Sequence, residues 1–371
     1  MFKGSSSVLK SVIQSTYEIR QPLFISGAPG IGKSMIVKND AIKRAEDSKL
    51  EFVDWNASTK EKKMEMFANP EKFFVFIDQR LSQFDVTDLR GLPQIQSDTE
   101  WLTTKPYAWA VFITKPGAIG TVFFDEINLA SPIVAGSAYQ IINDRVVADT
   151  KLSDGIYICG AGNRAEDQAH VFDMPLPLRD RFCEFELEVN TEEWIKWAIE
   201  HKVNHHLINL IQWKGSLLYN VSETSSDKAT TPRGVARLSN LLGTIKNITD
   251  ERTQTLSSIS CGEGFAAEFM AYVRYFQDMN WDRIYNDPSS VKSFDINQTY
   301  ALIGGLVEHF QKESHKGSDI VEVIANLKQD FSIYALRLMA DFDKKKFAKN
   351  IVKAPNFKSH VKSQNWATIL A

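Results

Sequence analysis

The chain has 371 residues, 43% of them hydrophobic, 24% charged and 11% aromatic, with a formal net charge of −3. That is enough apolar chain for two or three packed units, and the mild acidity excludes a molecule coated in positive charge for DNA, though a local basic patch stays open. Cys159, Cys183 and Cys261 lack metal-ligand spacing, and no run of roughly 18 or more apolar residues offers a membrane span.

The opening MFKGSSSVLK lacks the apolar stretch of a signal peptide, and the cysteine usage fits a reducing compartment, so a cytoplasmic location is expected. Val8, Leu9, Ile13 and Tyr17 recur near helical spacing and predict an amphipathic lead-in over residues 1–20. PLFISG, residues 22–27, reads as a short apolar strand running into a glycine-rich loop, with a helix from Lys33 to about Ala45. EFVDW, residues 51–55, predicts a second strand, and residues 60–69 a helix. FFVFID, residues 73–78, is apolar on both faces, as a buried parallel strand should be. AVFI (110–113) and TVFFDE (121–126) read as further strands, Pro132 to Asn143 as a helix, and IYICGAGN (156–163) as another strand. This alternation predicts a three-layer α/β unit around a largely parallel sheet.

After about Val189 the period changes to helical. Trp194, Trp197, Ala198, Leu207, Leu210 and Ile211 mark the apolar positions, while the adjacent pair His205 and His206 is expected at the surface. Ser222 to Thr231 reads as a polar loop, and Pro232 opens a further helix. TYALIGGLVEHFQK and SIYALRLMADF predict amphipathic helices near the end. The expected domains are residues 1–190 for the α/β part, 191–255 for a helical lid and 256–371 for a helical extension.

Five motifs carry chemistry. Gly27, Ala28, Pro29, Gly30, Ile31, Gly32, Lys33 and Ser34 match G-x-x-x-x-G-K-S at every required position. Glycines let backbone N–H groups close around phosphate oxygens, and the helix that follows turns its positive end to the anion. Lys33 is then placed to reach the β and γ phosphates, and Ser34 to ligate Mg²⁺. TVFFDE delivers two carboxylates at a strand end: Asp125 to hold Mg²⁺, directly or through water, and Glu126 to polarise an attacking water. Asn163 ends another apolar strand, where it either orients water beside the γ-phosphate or caps the chain. LPLRDRF (176–182) sets Arg179 and Arg181 about Asp180, either as a surface salt-bridged turn or as cations reaching a neighbouring subunit's γ-phosphate. Arg233 falls in the first turn of the Pro232 helix, where a cation opposes the helix dipole; its partner is an anion elsewhere, or it is simply solvent-exposed.

The order of these elements resembles the AAA+ ATPases, specifically the MoxR-like and dynein-related (midasin-like) branch, over roughly residues 5 to 250. Gly27 to Ser34 match Walker A, Asp125 and Glu126 Walker B, Asn163 sensor 1, and Arg233 a sensor 2 candidate. DQRLSQ (78–83) with DVTDLRGLP (85–93), and DEINLA (125–130) with YQII (139–142), are similar to segments of that branch. The resemblance implies ATP with Mg²⁺ as ligands, a homo-oligomeric ring, usually hexameric, and Arg181 as the arginine finger with Arg179 as a second contact in trans. It also implies a chaperone or remodelling activity on a protein client, often one with a von Willebrand A domain, and insertions in the α/β domain, for which residues 85–108 and a hairpin at 145–155 are candidates. A nucleic-acid motor or loader on the same core is the alternative. A scaffold that binds ATP without hydrolysing it is disfavoured by the intact Asp125 and Glu126 pair.

Overall fold

The computed structural model describes the chain except for residues 1, 96–101, 165–171, 173–175, 221–227, 364–365 and 367–371. It divides into two compact units, Met1–Val189 and Asn190–Ala371.

Among its described residues the first unit has eleven strands: β1 (Phe2–Gly4), β2 (Leu23–Gly27), β3 (Glu51–Asp54), β4 (Phe73–Arg80), β5 (Leu92–Ile95), β6 (Leu102–Lys105), β7 (Ile119–Asp125), β8 (Val146–Val147), β9 (Thr150–Lys151), β10 (Gly155–Gly162) and β11 (Cys183–Leu187). Seven of them form one parallel sheet in the order β1-β11-β2-β10-β7-β4-β3. Side chains alternate across a strand, so the unbroken apolar run of β4 feeds both faces. Phe73, Val75 and Ile77 enter one core with Val122, Phe124, Ile156 and Ile158. Phe74 and Phe76 enter the other with Leu23, Ile25, Phe123, Tyr157 and Cys159. The helices Ser6–Glu18 and Lys33–Asp47 cover the second face with Leu9, Ile13, Val37, Ala41 and Ala45. The fold is therefore the expected three-layer αβα core with a parallel sheet, followed by a helical unit.

Three details depart from the sequence reading. AVFI is not a strand but part of the helix Ala108–Ile113, which buries Trp109, Ala110, Phe112 and Ile113. That set repeats as one face of a helix, and a four-residue apolar run alone does not separate the two periods. The helix from Pro132 stays α-helical only to Tyr139 and then widens into a π-turn over Gln140–Asp144, after which Arg145 takes a left-handed φ of 52°. The edge strand β1, three residues long, pairs with β11 and has no periodic signal of its own. The expected hairpin at 145–155 is present as β8 and β9, and residues 85–108 carry a second antiparallel pair, β5 and β6; residues 96–101, Trp101 included, lie outside the described residues.

Among its described residues the second unit is helical apart from one bridge between Asn220 and Thr230. Its later helices are knit to its earlier ones. Thr230 donates to the Cys261 carbonyl at 2.7 Å, and Tyr334 donates to Asn209 at 2.6 Å. The histidine pair is not at the surface. His205 and His206 open the helix His205–Trp213 and are both buried. Neighbouring polar residues in the sequence concealed this, because burial here comes from the helix Ile296–Lys312, about a hundred residues on, whose Glu308 bonds His206. No described helix is long and apolar enough to cross a membrane.

Candidate nucleotide site

The glycine-rich loop leaves β2, which is buried along its whole length between β10 and β11. Gly30 and Gly32 take φ of 76° and 98°, the left-handed region where a Cβ is penalised, so the loop can coil back on itself before the helix Lys33–Asp47 begins. That helix has no side-chain N-cap bond and no acidic residue in its first turn. The positive end of such a helix suits an anion.

Lys33 is folded under the loop and only 8% exposed. Its ammonium donates to the carbonyls of Gly27 at 2.6 Å and Ala28 at 3.0 Å, and to Asn163 Oδ1 at 3.3 Å. Next to it, Ser34 Oγ donates to Asp125 Oδ2 at 3.0 Å, while Asp125 Oδ1 accepts the backbone N–H of Glu126 at 2.9 Å. Both oxygens of Asp125 are thus oriented. Glu126 itself takes a left-handed φ of 56°, strained for a residue with a Cβ, and its carboxylate accepts a hydrogen bond from the Ser82 hydroxyl. The sheet order explains the meeting. β2, β10 and β7 are consecutive neighbours, so the loop, Asn163 and the Asp125–Glu126 pair all emerge at one carboxyl edge, where open α/β sheets bind ligands.

Asn163 is held by a partner that the sequence reading did not single out. The Asn128 side chain donates to the Asn163 carbonyl at 2.6 Å and accepts its N–H at 3.1 Å. Gly162 makes the clasp possible, since a Cβ there would lie 2.4 Å from Asn128 Oδ1. Ser82 and Asp78 are likewise new to the site. All three lay inside strings that drew attention, but nothing in one sequence says which side chain turns inward.

Asp78 sits near the end of β4, in register with Phe123 of the next strand, and its Oδ1 is buried without a hydrogen-bond partner among the described residues. Burial, and then the Asp125 carboxylate, push its pKa up to about 6. When an acid is raised on folding, the unfolded chain releases its proton first as pH rises. This group therefore weakens the fold progressively from about pH 4 to 6, and its full penalty applies above. In metal-free buffer Asp78→Asn is expected to stabilise the protein at about pH 7.5 by roughly 1–2 kcal/mol, after discounting for partial exposure, and to change little near pH 4. Thermal melts at the two pH values check this; no gain at the higher pH would mean the carboxylate is compensated.

The donor set fits Mg²⁺. Ser34 Oγ and Asp125 Oδ2, 3.0 Å apart, are oxygen donors that would hold this hard cation.

No protein-family model and no curated protein matches this sequence. Solved structures that align with it include a proposed ATPase from Cytophaga hutchinsonii, at 11% identity and a TM-score of 0.31, covering 100% of this chain and 89% of that one. A DNA polymerase III gamma subunit-related protein from Thermotoga maritima aligns at 10% identity and a TM-score of 0.31, covering 99% and 92%. A RuvB point mutant from the same organism aligns at 12% and 0.31, covering 96% and 87%. Overlap this low leaves the reading of the site to its own geometry.

The remaining predicted residues are three arginines. Arg179 is clasped by Glu184, Nε to Oε1 at 2.6 Å and Nη2 to Oε2 at 3.0 Å. Arg181 is looser: its Nη1 is 3.6 Å from Asp180, its side chain is 48% exposed, and a hydrogen bond with Tyr139 raises its pKa. Arg233 belongs to the second unit, as the second residue of the helix Pro232–Leu242, where Thr231 caps Gly234 N–H at 3.1 Å. It is exposed, and no described residue bonds it.

Proposed function

We propose that this chain is an Mg²⁺-dependent ATPase of the AAA+ class that works as a MoxR-like ring, with Glu126 as the base and its energy spent on remodelling a protein client. The observation that carries the reading is the convergence of Lys33, Ser34, Asp125, Glu126 and Asn163 at the carboxyl ends of three adjacent strands. Backbone N–H groups of the loop and the Lys33 ammonium bind the β and γ phosphates. Mg²⁺, when bound by Ser34 and Asp125, offsets phosphate charge. Glu126 draws the proton from water as it attacks, and the Asn163 amide, fixed by Asn128, orients that water.

Among the five converging residues Lys33 is the only cation, so a second cation would come from elsewhere. The exposed Arg181 has the chemistry for that task in a neighbouring subunit, and the clasped Arg179 is the weaker candidate. Arg233 serves as the nucleotide sensor of a lid formed by residues 191–255, with 256–371 supporting it. A client with a von Willebrand A domain is the partner class that this branch suggests.

Assembly dependence tests the proposal. ATP turnover per chain should rise steeply with protein concentration, since each site needs its neighbour. Arg181→Ala should keep ATP affinity and lower turnover by about 10³-fold, the scale of an arginine finger. Normal turnover in an assembled Arg181→Ala ring would place the finger elsewhere.

A further inference from the structure

One buried polar cluster of the second unit shares no residue with the nucleotide site. His205 and His206 stand at the start of the helix His205–Trp213, and Glu308 projects from the helix Ile296–Lys312. One ring nitrogen of each histidine and one carboxylate oxygen of Glu308 lie within 4.8 Å of one another. His206 Nε2 is 3.1 Å from Glu308 Oε2, and the other oxygen of Glu308 accepts from the Lys312 ammonium. His206 Nδ1 is 3.0 Å from the Tyr272 hydroxyl.

Two features are unexplained by hydrogen bonding alone. His205 is 8% exposed, yet its Nε2 is buried with no partner among the described residues, an arrangement that folded proteins avoid. Gly304 occupies the interior of the long helix against this cluster. A Cβ there would lie 2.2 Å from the Tyr272 hydroxyl oxygen and 2.9 Å from His206 Nδ1. A glycine weakens a helix interior, so its presence keeps open the space that the polar atoms need.

We propose that His205, His206 and Glu308 form a binding site for a divalent transition metal of the zinc type, tying the two helices together. Two imidazoles and one carboxylate are a zinc ligand set, and three protein ligands leave the fourth position to water. Tyr272 supplies the outer hydrogen bond that ligating histidines usually carry. The ion takes the place of the proton on His206 Nε2; the neutral ring carries its single proton on Nδ1 instead and donates it to the Tyr272 oxygen. Tetrahedral ligands at about 2.1 Å from zinc stand roughly 3.4 Å apart, so side-chain rotation closes the wider separations.

The test uses the full chain without an affinity tag, stripped with EDTA and titrated with Zn²⁺, and separately with Co²⁺ as an optical probe. We expect one Zn²⁺ per chain, a higher melting temperature with Zn²⁺, and a visible Co²⁺ band that Zn²⁺ displaces. Glu308→Gln and His205→Ala, checked as folded by circular dichroism, lose the ion, and Tyr272→Phe weakens it about 10- to 100-fold. Asp125→Asn, which removes a ligand of the nucleotide site, leaves the zinc stoichiometry unchanged. Absence of stoichiometric zinc in the unmodified chain overturns the proposal, as does binding that survives in both ligand variants. Should those variants not fold, imidazole nitrogen shifts in the unmodified chain decide: movement of two buried rings on adding Zn²⁺ supports the site, and no movement overturns it.

Discussion

Lys33→Ala is expected to lose ATP binding while keeping its fold. In the structure the Lys33 ammonium reaches three neutral acceptors, two loop carbonyls and the Asn163 amide oxygen. A triphosphate offers anionic oxygens at the same place, so the lysine makes a stronger, charge-assisted bond when nucleotide is present than when it is absent. Removing one partner of such a buried charged pair costs about 2–5 kcal/mol, or roughly 30- to 4,000-fold in Kd. Binding of a fluorescent ATP analogue measures it, with circular dichroism to check folding. Lys33→Arg separates charge from shape: the guanidinium keeps the charge, but its planar fork does not fit a pocket shaped around a single ammonium. Unchanged ATP affinity in Lys33→Ala would remove the loop from the nucleotide site.

The parts legible in sequence were those whose signal is local. The loop from Gly27 to Ser34 announces itself because every position has a backbone reason for its residue type. β4 was legible because a strand buried on both faces needs an unbroken apolar run. Asp125 and Glu126 were legible because a strand end must deliver them. What stayed hidden depends on contacts between distant segments. Asn128 earns its place only through its two bonds to Asn163, thirty-five positions away, and Ser82 only through Glu126. The His205 and His206 pair looks polar in its own helix and becomes core only against Tyr272 and Glu308. AVFI misled for the opposite reason: it is too short for periodicity to choose between helix and strand, and the choice is made by Trp109 and Phe112 packing onto the sheet. The same limit applies to the arginines. Their spacing is visible in LPLRDRF, but only the structure separates Arg179, held by both oxygens of Glu184, from the more loosely held Arg181.

Glu126→Gln is expected to bind ATP normally and to hydrolyse it about 10²- to 10⁴-fold more slowly, the scale of a lost general base. The substitution changes one oxygen to an amide and leaves the backbone at its φ of 56°, so the Ser82 hydroxyl keeps a carbonyl oxygen to donate to. Ser34 and Asp125 are untouched, and so is the cradle around the phosphates. Binding and chemistry should therefore separate cleanly, unlike in Lys33→Ala, where both fail. A variant that holds ATP without turnover also holds whatever the ATP-bound state grips. Recovering it from native lysate with ATP, against ATP-free and nuclease-treated controls, reads out the partner class. A protein retained only with ATP, above all one with a von Willebrand A domain, supports the remodelling function. Retained nucleic acid, or partners lost on nuclease treatment, would instead make this core a nucleic-acid motor and turn attention to the antiparallel pair of β5 and β6, which exposes Leu92, Ile95 and Leu102. Full turnover in Glu126→Gln would show that another group activates the water, and Asp78, with its raised pKa beside Asp125, is the next carboxylate to replace.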